Sequence, residues 1–135
     1  MAAYWHEVRV YLEDTDAQGV VYNASYFRFM ERARTDWLRV RGFDHSTFAD
    51  TLGLAVVLAS IEAKFIGPGR LGEVLAVSAD LTELKGARAW FSQEIRRESS
   101  AGELIAEGRA EIACIDLAGK RARRWPRTFL EGLNG

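Results

Sequence analysis

Two carboxylates, Asp14 and Asp16, sit in a short stretch of turn-forming residues, Asp14-Thr15-Asp16-Ala17-Gln18-Gly19, immediately before a long apolar-periodic segment that opens at Asn23. A carboxylate can attack an electrophilic carbon directly or take a proton from water. The start of a helix offers unpaired N–H groups and the positive end of a dipole, which suit a developing oxyanion. An acid turn followed at once by a helix N-terminus therefore brings both parts of a hydrolytic site within reach of one carbon. On its own an Asp-x-Asp pair is more often a turn or capping element than a catalytic one, because Asp is common in turns.

The remaining chemically interesting side chains are scattered. His6 and His45 have no ligand pattern around them, so no metal site is expected. Cys114 alternates with apolar residues and reads as a small core residue. As the only cysteine, it can form no internal disulfide.

The elements that must hold the acid turn follow from periodicity. Val8, Val10 and Leu12 alternate with polar residues, which predicts a strand over residues 8–12. Asn23, or alternatively Ser25, is the expected helix N-cap. Tyr26, Phe29, Met30, Ala33, Trp37 and Val40 then recur at helical spacing, with Phe27 and Leu38 widening the stripe. Such a helix is largely covered. Arg32 and Asp36 are spaced for an ion pair, and Gly42 is placed to end the helix. Residues 43–51 read as a loop with a short helical turn capped by Asp44 or Ser46.

From Leu54 the period changes to two, with Ile61, Ala63 and Phe65 on one face, until Gly67-Pro68-Gly69 breaks the pattern. Three further strands follow. Leu75, Val77, Ala79 and Leu81 share a face in the first, and Ala89, Phe91 and Ile95 in the second. Leu104, Ala106, Ala110, Ile112 and Cys114 do so in the third. Short turns at Lys85-Gly86 and at residues 99–102 favour antiparallel pairing. The economical arrangement is α+β, a sheet curled around the early helix. Residues 126–130 read as a short closing helix.

At 135 residues, the chain fits a single domain spanning residues 1–135, able to bury a core without disulfides or metal. A formal net charge of −1 argues against a general nucleic-acid binder. No apolar run is long enough to span a bilayer, and the N-terminal residues have no signal-peptide pattern. A cytoplasmic location is expected.

The run Glu13-Asp14-Thr15-Asp16-Ala17-Gln18-Gly19-Val20-Val21-Tyr22, with Ala24-Ser25-Tyr26 and Glu31-Arg32-Ala33-Arg34, resembles the 4-hydroxybenzoyl-CoA thioesterase family, and within it the Tol–Pal-associated acyl-CoA thioesterases. The resemblance implies a hotdog fold, a long central helix wrapped by a curved antiparallel sheet. It implies homodimers joined edge to edge, paired into homotetramers in many members, with active sites at the dimer interface. It makes Asp16 the catalytic carboxylate and assigns the oxyanion contact to the backbone N–H of Asn23. Close relatives commonly carry His where Asn23 stands, but the implied donor is main-chain. Asp14 reads as structural.

Gly19, Tyr22 and Tyr26 are candidates to line the substrate path. Lys85 and Arg88 beside the Gly86 turn are candidates for the CoA phosphates, and Arg121, Arg123 and Arg124 form a second such cluster. The implied activity is hydrolysis of an acyl-CoA, aryl or short-chain aliphatic, with no cofactor. The competing reading is a hotdog module that binds acyl-CoA or acyl carrier protein without cleaving it. A dehydratase reading lacks the His–Asp pair it would need near the turn.

Overall fold

The computed structural model describes residues 3–133. Five antiparallel strands form one sheet: β1 (Tyr4–Arg9), β2 (Leu54–Phe65), β3 (Val74–Lys85), β4 (Arg88–Arg97) and β5 (Leu104–Asp116). They lie in the order β1-β3-β4-β5-β2. Helix α1 (Asn23–Arg39) packs on the sheet's apolar face, α2 (His45–Leu52) follows it, and α3 (Arg127–Gly132) closes the chain. This is the curled sheet around an early helix that the periodicity predicts.

Tyr26, Phe29, Met30, Ala33 and Trp37 are all buried against Leu75, Val77, Phe91, Ile95 and Ile112. Burying the larger of these side chains stabilises by about 1.5–3 kcal/mol each, which outweighs the aromatic residues' modest helix propensity. Val40, the last of the expected stripe, is 60% exposed instead. The helix stops before the stripe reaches it. Gly42, at φ +87°, donates to Arg39 O while Phe43 N donates to Leu38 O, the paired bonds of a Schellman ending.

Several local expectations are corrected. The first strand lies earlier than residues 8–12. Val10 remains buried, but Leu12 is 74% exposed in a 3-10 turn over Leu12–Asp14. The Asp14 carboxylate accepts from Tyr11 N at 2.8 Å, which folds the chain off the sheet before Leu12. Asn23 is the first helical residue rather than the cap; Tyr22 occupies that position without a side-chain cap bond. Ser25 is buried and accepts from Arg28. Asp36 pairs with Arg39 and His6, not with Arg32, whose guanidinium lies over the Phe29 ring. Asp44, not Ser46, caps α2 by accepting from Thr47 N. Ile105, outside the expected face, is fully buried because a bulge leaves it unopposed between Ala106 and Leu104.

The decisive feature is the position of β2. β3, β4 and β5 form a simple meander, but β2 pairs with β5 at the far edge. The link from β2 to β3, residues 66–73, must therefore cross the whole end of the sheet, and it passes the acid turn on the way.

Candidate active site

Residues 15–21 form a small hairpin. Thr15 pairs with Val21 through Asp16 N donating to Val20 O and Tyr22 N donating to Asp14 O. Gly19 takes φ +76° at its tip, a conformation that costs glycine little. The hairpin doubles the chain back, so Asp16 lies across from Val20, three residues before α1 begins. Asp14 is 3% exposed, and its carboxylate accepts from Tyr11 N and from Arg28 at 3.4 Å. Asp14 thereby braces the turn.

Asp16 is exposed at the outer face of the hairpin. Its Oδ1 accepts from Gln18 N at 2.8 Å and from Val20 N at 3.4 Å. Oδ2 has no partner among the described residues. Oδ1 thus serves the turn, and Oδ2 is left free. Asn23, exposed, opens α1 with an N–H that has no intrahelical acceptor. Tyr22, beside it, is 58% exposed.

The cross-over link clamps the hairpin from its other side. Val20 pairs with Arg70, with Val21 N donating to Gly69 O and Leu71 N to Gly19 O. Gly69 N donates to the Tyr26 hydroxyl at 2.9 Å. A Cβ at position 69 would lie 2.9 Å from Val21 Cγ2 and 3.3 Å from Leu75 Cδ1, so only glycine fits. Tyr26 is 2% exposed and stacked on Phe65. It supports the site from beneath, and burial raises its phenol pKa, keeping the hydroxyl neutral. Leu71, bonded to Gly19 at the hairpin, and Phe65 and Ile66, where β2 passes into the cross-over link, are exposed apolar side chains.

The basic candidates lie elsewhere. Lys85 ends β3, whose first residue, Val74, is next to the cross-over link. Eleven strand steps separate the two ends, roughly 35 Å along the strand. Lys85 and Arg88 therefore stand at the opposite end of the sheet from Asp16 of the same chain. The structure does unite the two basic clusters. Ile115 pairs with Ala122, Arg123 N donates to Cys114 O, and Trp125 Nε1 donates to Arg88 O. Arg88 is paired with Glu111 and Arg123 with Asp116, while Lys85, Arg121 and Arg124 are exposed.

Arg70 was not singled out in the sequence, where its neighbourhood reads only as a strand breaker. The only local signal is its place directly after the Gly67-Pro68-Gly69 break. Cys114 is free and fully buried, and burial raises its thiol pKa, consistent with a core role.

A family model described as the thioesterase-like superfamily matches residues 10–133. The acyl-CoA thioesterase YbgC of Haemophilus influenzae is 36% identical over 120 residues, covering 89% of this chain and 86% of its own. The acyl-CoA thioester hydrolase YbgC of Escherichia coli is 34% identical over 123 residues, 91% of this chain and 90% of that one. Among solved structures, a probable thioesterase from Bartonella henselae superposes with a TM-score of 0.85 at 33% identity, covering 93% of this chain and 100% of its own.

Proposed function

Because this chain belongs to the thioesterase-like superfamily and is an acyl-CoA thioester hydrolase, we propose that Asp16 and the Asn23 N–H carry its chemistry. The acyl-CoA carbonyl sits at the mouth of α1 with its oxygen toward Asn23 N–H. Asp16, through the unpartnered Oδ2, attacks the carbonyl carbon or draws a proton from the water that does. The carbon–oxygen bond forms, the carbon–sulfur bond breaks, and the sulfur leaves as CoA thiolate that takes up a proton; where Asp16 itself has attacked, water then cleaves the acyl–Asp16 anhydride and regenerates the carboxylate. Acyl-CoA and water give the free acid and CoA, with no cofactor in the balance. The observation that supports this reading is the clamped hairpin, which fixes a half-free carboxylate opposite Val20, three residues before α1 begins.

The substrate is an aryl thioester such as 4-hydroxybenzoyl-CoA or a short-chain acyl-CoA. Gly19, Tyr22 and the apolar side chains flanking the hairpin line its path. The active form is a homodimer, or two such dimers joined as a tetramer. Edge strand β2 is 12 residues long and carries exposed Val57, Leu58 and Phe65, and an edge of this kind is normally covered. Phe65 lies at the acid end of β2, and Leu54 pairs with Asp116 at the basic end. Antiparallel pairing of two β2 edges would set the Lys85, Arg88, Arg121 and Arg124 patch of one protomer beside the Asp16 of its partner, within reach of the CoA phosphates. An acyl carrier protein could present an acyl group to the same patch. Among the described residues no helix is long and apolar enough to cross a membrane; the reading places the enzyme in the cytoplasm, supported by its single free cysteine.

The test is thiol release from a panel of 4-hydroxybenzoyl-, benzoyl-, short- and long-chain acyl-CoAs, with Asp16→Ala alongside. The variant should lose about 100-fold or more in kcat. Wild-type turnover that survives Asp16→Ala unchanged would refute the assignment, and saturable binding without CoA release would make the chain a binding module instead.

A further inference from the structure

We propose that Arg70 is a further catalytic residue, whose guanidinium stabilises the negative charge that develops on the thioester oxygen beside Asp16. The inference rests on the hydrolase reading above and extends it to a residue outside the acid turn and helix.

Asp16, Val20 and Arg70 form one row across three adjacent segments. Val20 and Arg70 are a non-hydrogen-bonded antiparallel pair, because the bonds around them run from Val21 N to Gly69 O and from Leu71 N to Gly19 O. In such a pair the Cα atoms are about 4.5 Å apart and the side chains project on the same face. Asp16 stands opposite Val20 within the hairpin, at a spacing of about 5.5 Å. The Asp16 and Arg70 backbones are therefore about 10 Å apart, with one small apolar side chain between them. Both project on the outer face, since their neighbours Val21 and Gly69 turn inward to the core. An arginine side chain spans such a gap easily.

The backbone at Arg70 is fixed far more firmly than an exposed residue requires. Gly69 N is held by Tyr26, Gly69 O by Val21, Leu71 N by Gly19, and Arg70 N by Glu73 Oε1 at 2.7 Å. Glu73 is itself gripped by Arg97, which also donates to Pro68 O. Apart from the Glu73–Arg97 pair, all of these bonds serve the main chain. Among the described residues no carboxylate pairs with the Arg70 guanidinium, and the acid nearest in sequence, Glu73, is already taken by Arg97. The fold thus places a free cation in a rigid setting on the carboxylate's own face. The fixed main chain sets the root of that cation on the carboxylate's face, and the unpaired guanidinium is free to meet negative charge as it develops.

The chemistry has use for it. As the carbonyl carbon is attacked, its oxygen becomes negative while a carboxylate is close by. The helix terminus offers about half a unit of positive charge. Arg70 adds a full one, always protonated and able to donate two parallel hydrogen bonds. The thioester oxygen then lies between the Asn23 N–H and the guanidinium.

Kinetics of Arg70→Ala, Arg70→Gln and Arg70→Lys test this. All three leave the hydrogen-bonded main chain intact, and circular dichroism with thermal melts checks that they fold as wild type. Arg70→Ala and Arg70→Gln should lose about 100-fold in kcat with KM little changed. Arg70→Lys should recover part of the loss, and millimolar guanidinium should raise the Arg70→Ala rate. Unchanged kcat in Arg70→Ala would overturn the proposal. So would a loss confined to KM, which would make Arg70 a contact for the CoA moiety only. Failure of the hydrolase mechanism shows separately, as an Asp16→Ala variant as fast as wild type.

Discussion

Replacing Tyr26 with Phe probes how the clamp is held. The change removes one oxygen from a side chain that is 2% exposed and leaves its stacking on Phe65 in place. No cavity larger than a hydroxyl is created. The cost falls on Gly69, whose buried N–H loses its acceptor at 2.9 Å. The Gly69 site is enclosed by Val21 and Leu75, with no room for a side chain in exchange. A donor stranded in that way costs about 1–3 kcal/mol. For a chain of this length each kcal/mol lowers the melting temperature by about 3–5 °C. The expected result is a lower urea midpoint with an unchanged slope, because the exposed surface on unfolding is the same. Activity should fall further than stability at assay temperature, since the Gly69–Arg70–Leu71 segment positions both Val20 and Arg70 against Asp16. Tyr22→Phe, at an exposed position, is the control and should melt as wild type. A Tyr26→Phe protein as stable and as active as wild type would refute the reasoning that the Tyr26–Gly69 bond is needed to seat the cross-over.

Gln93→Leu should destabilise by about 2–4 kcal/mol, read by urea titration, because the Gln93 amide donates to Met30 O and Ser78 O and accepts from buried Arg34. Restoration by Arg34→Met in the Gln93→Leu background would show that a stranded guanidinium is the larger part of the loss. Gly108→Ala should cost about 1–3 kcal/mol, since its Cβ would meet Glu62 O at 3.0 Å and Met30 Sδ at 3.1 Å; a melt equal to wild type would show that Met30 yields freely. Asp44 caps α2, and the hydrogen bond from Thr47 N lowers its carboxyl pKa below the ordinary value. Its stabilising effect is therefore full above the unfolded carboxyl's value of about 3.9 and is lost as pH falls through the lower folded value. The gap in melting temperature between wild type and Asp44→Ala should be open at pH 7 and close on acidification; a gap independent of pH would contradict the assignment.

Periodicity made the helix and the meander legible because both are local patterns with one buried face. The stripe from Tyr26 to Trp37 and the alternation in β3 and β4 are consequences of which side meets the core. What remained illegible depends on partners distant in the chain. The end of β1 is set by Asp14 reaching back to Tyr11, not by the alternation of Val8, Val10 and Leu12. Asn23 has the chemistry of a cap yet lies inside the helix, because the hairpin delivers Tyr22 to the cap position already bonded to Asp14 O. Asp14 and Asp16 were legible as an acid turn. Arg70 was not, because its place beside them follows from β2 lying at the far edge, a matter of sheet order that no local pattern encodes. Lys85 and Arg88 were legible as basic residues at a turn, but their separation from Asp16 within one chain could be seen only from strand direction.

The cross-over also ties catalysis to the history of the chain. Tyr26 and Gly69 are 43 positions apart, and their bond forms only when the link lies back over the helix. Closing that loop is an entropic cost that local helix and hairpin contacts do not carry. A chain that has collapsed, with helix and meander in place but the link unseated, would have nearly native secondary structure and no assembled site. Enzymatic turnover is therefore a stricter reporter of the native register than circular dichroism, and during refolding it should return last.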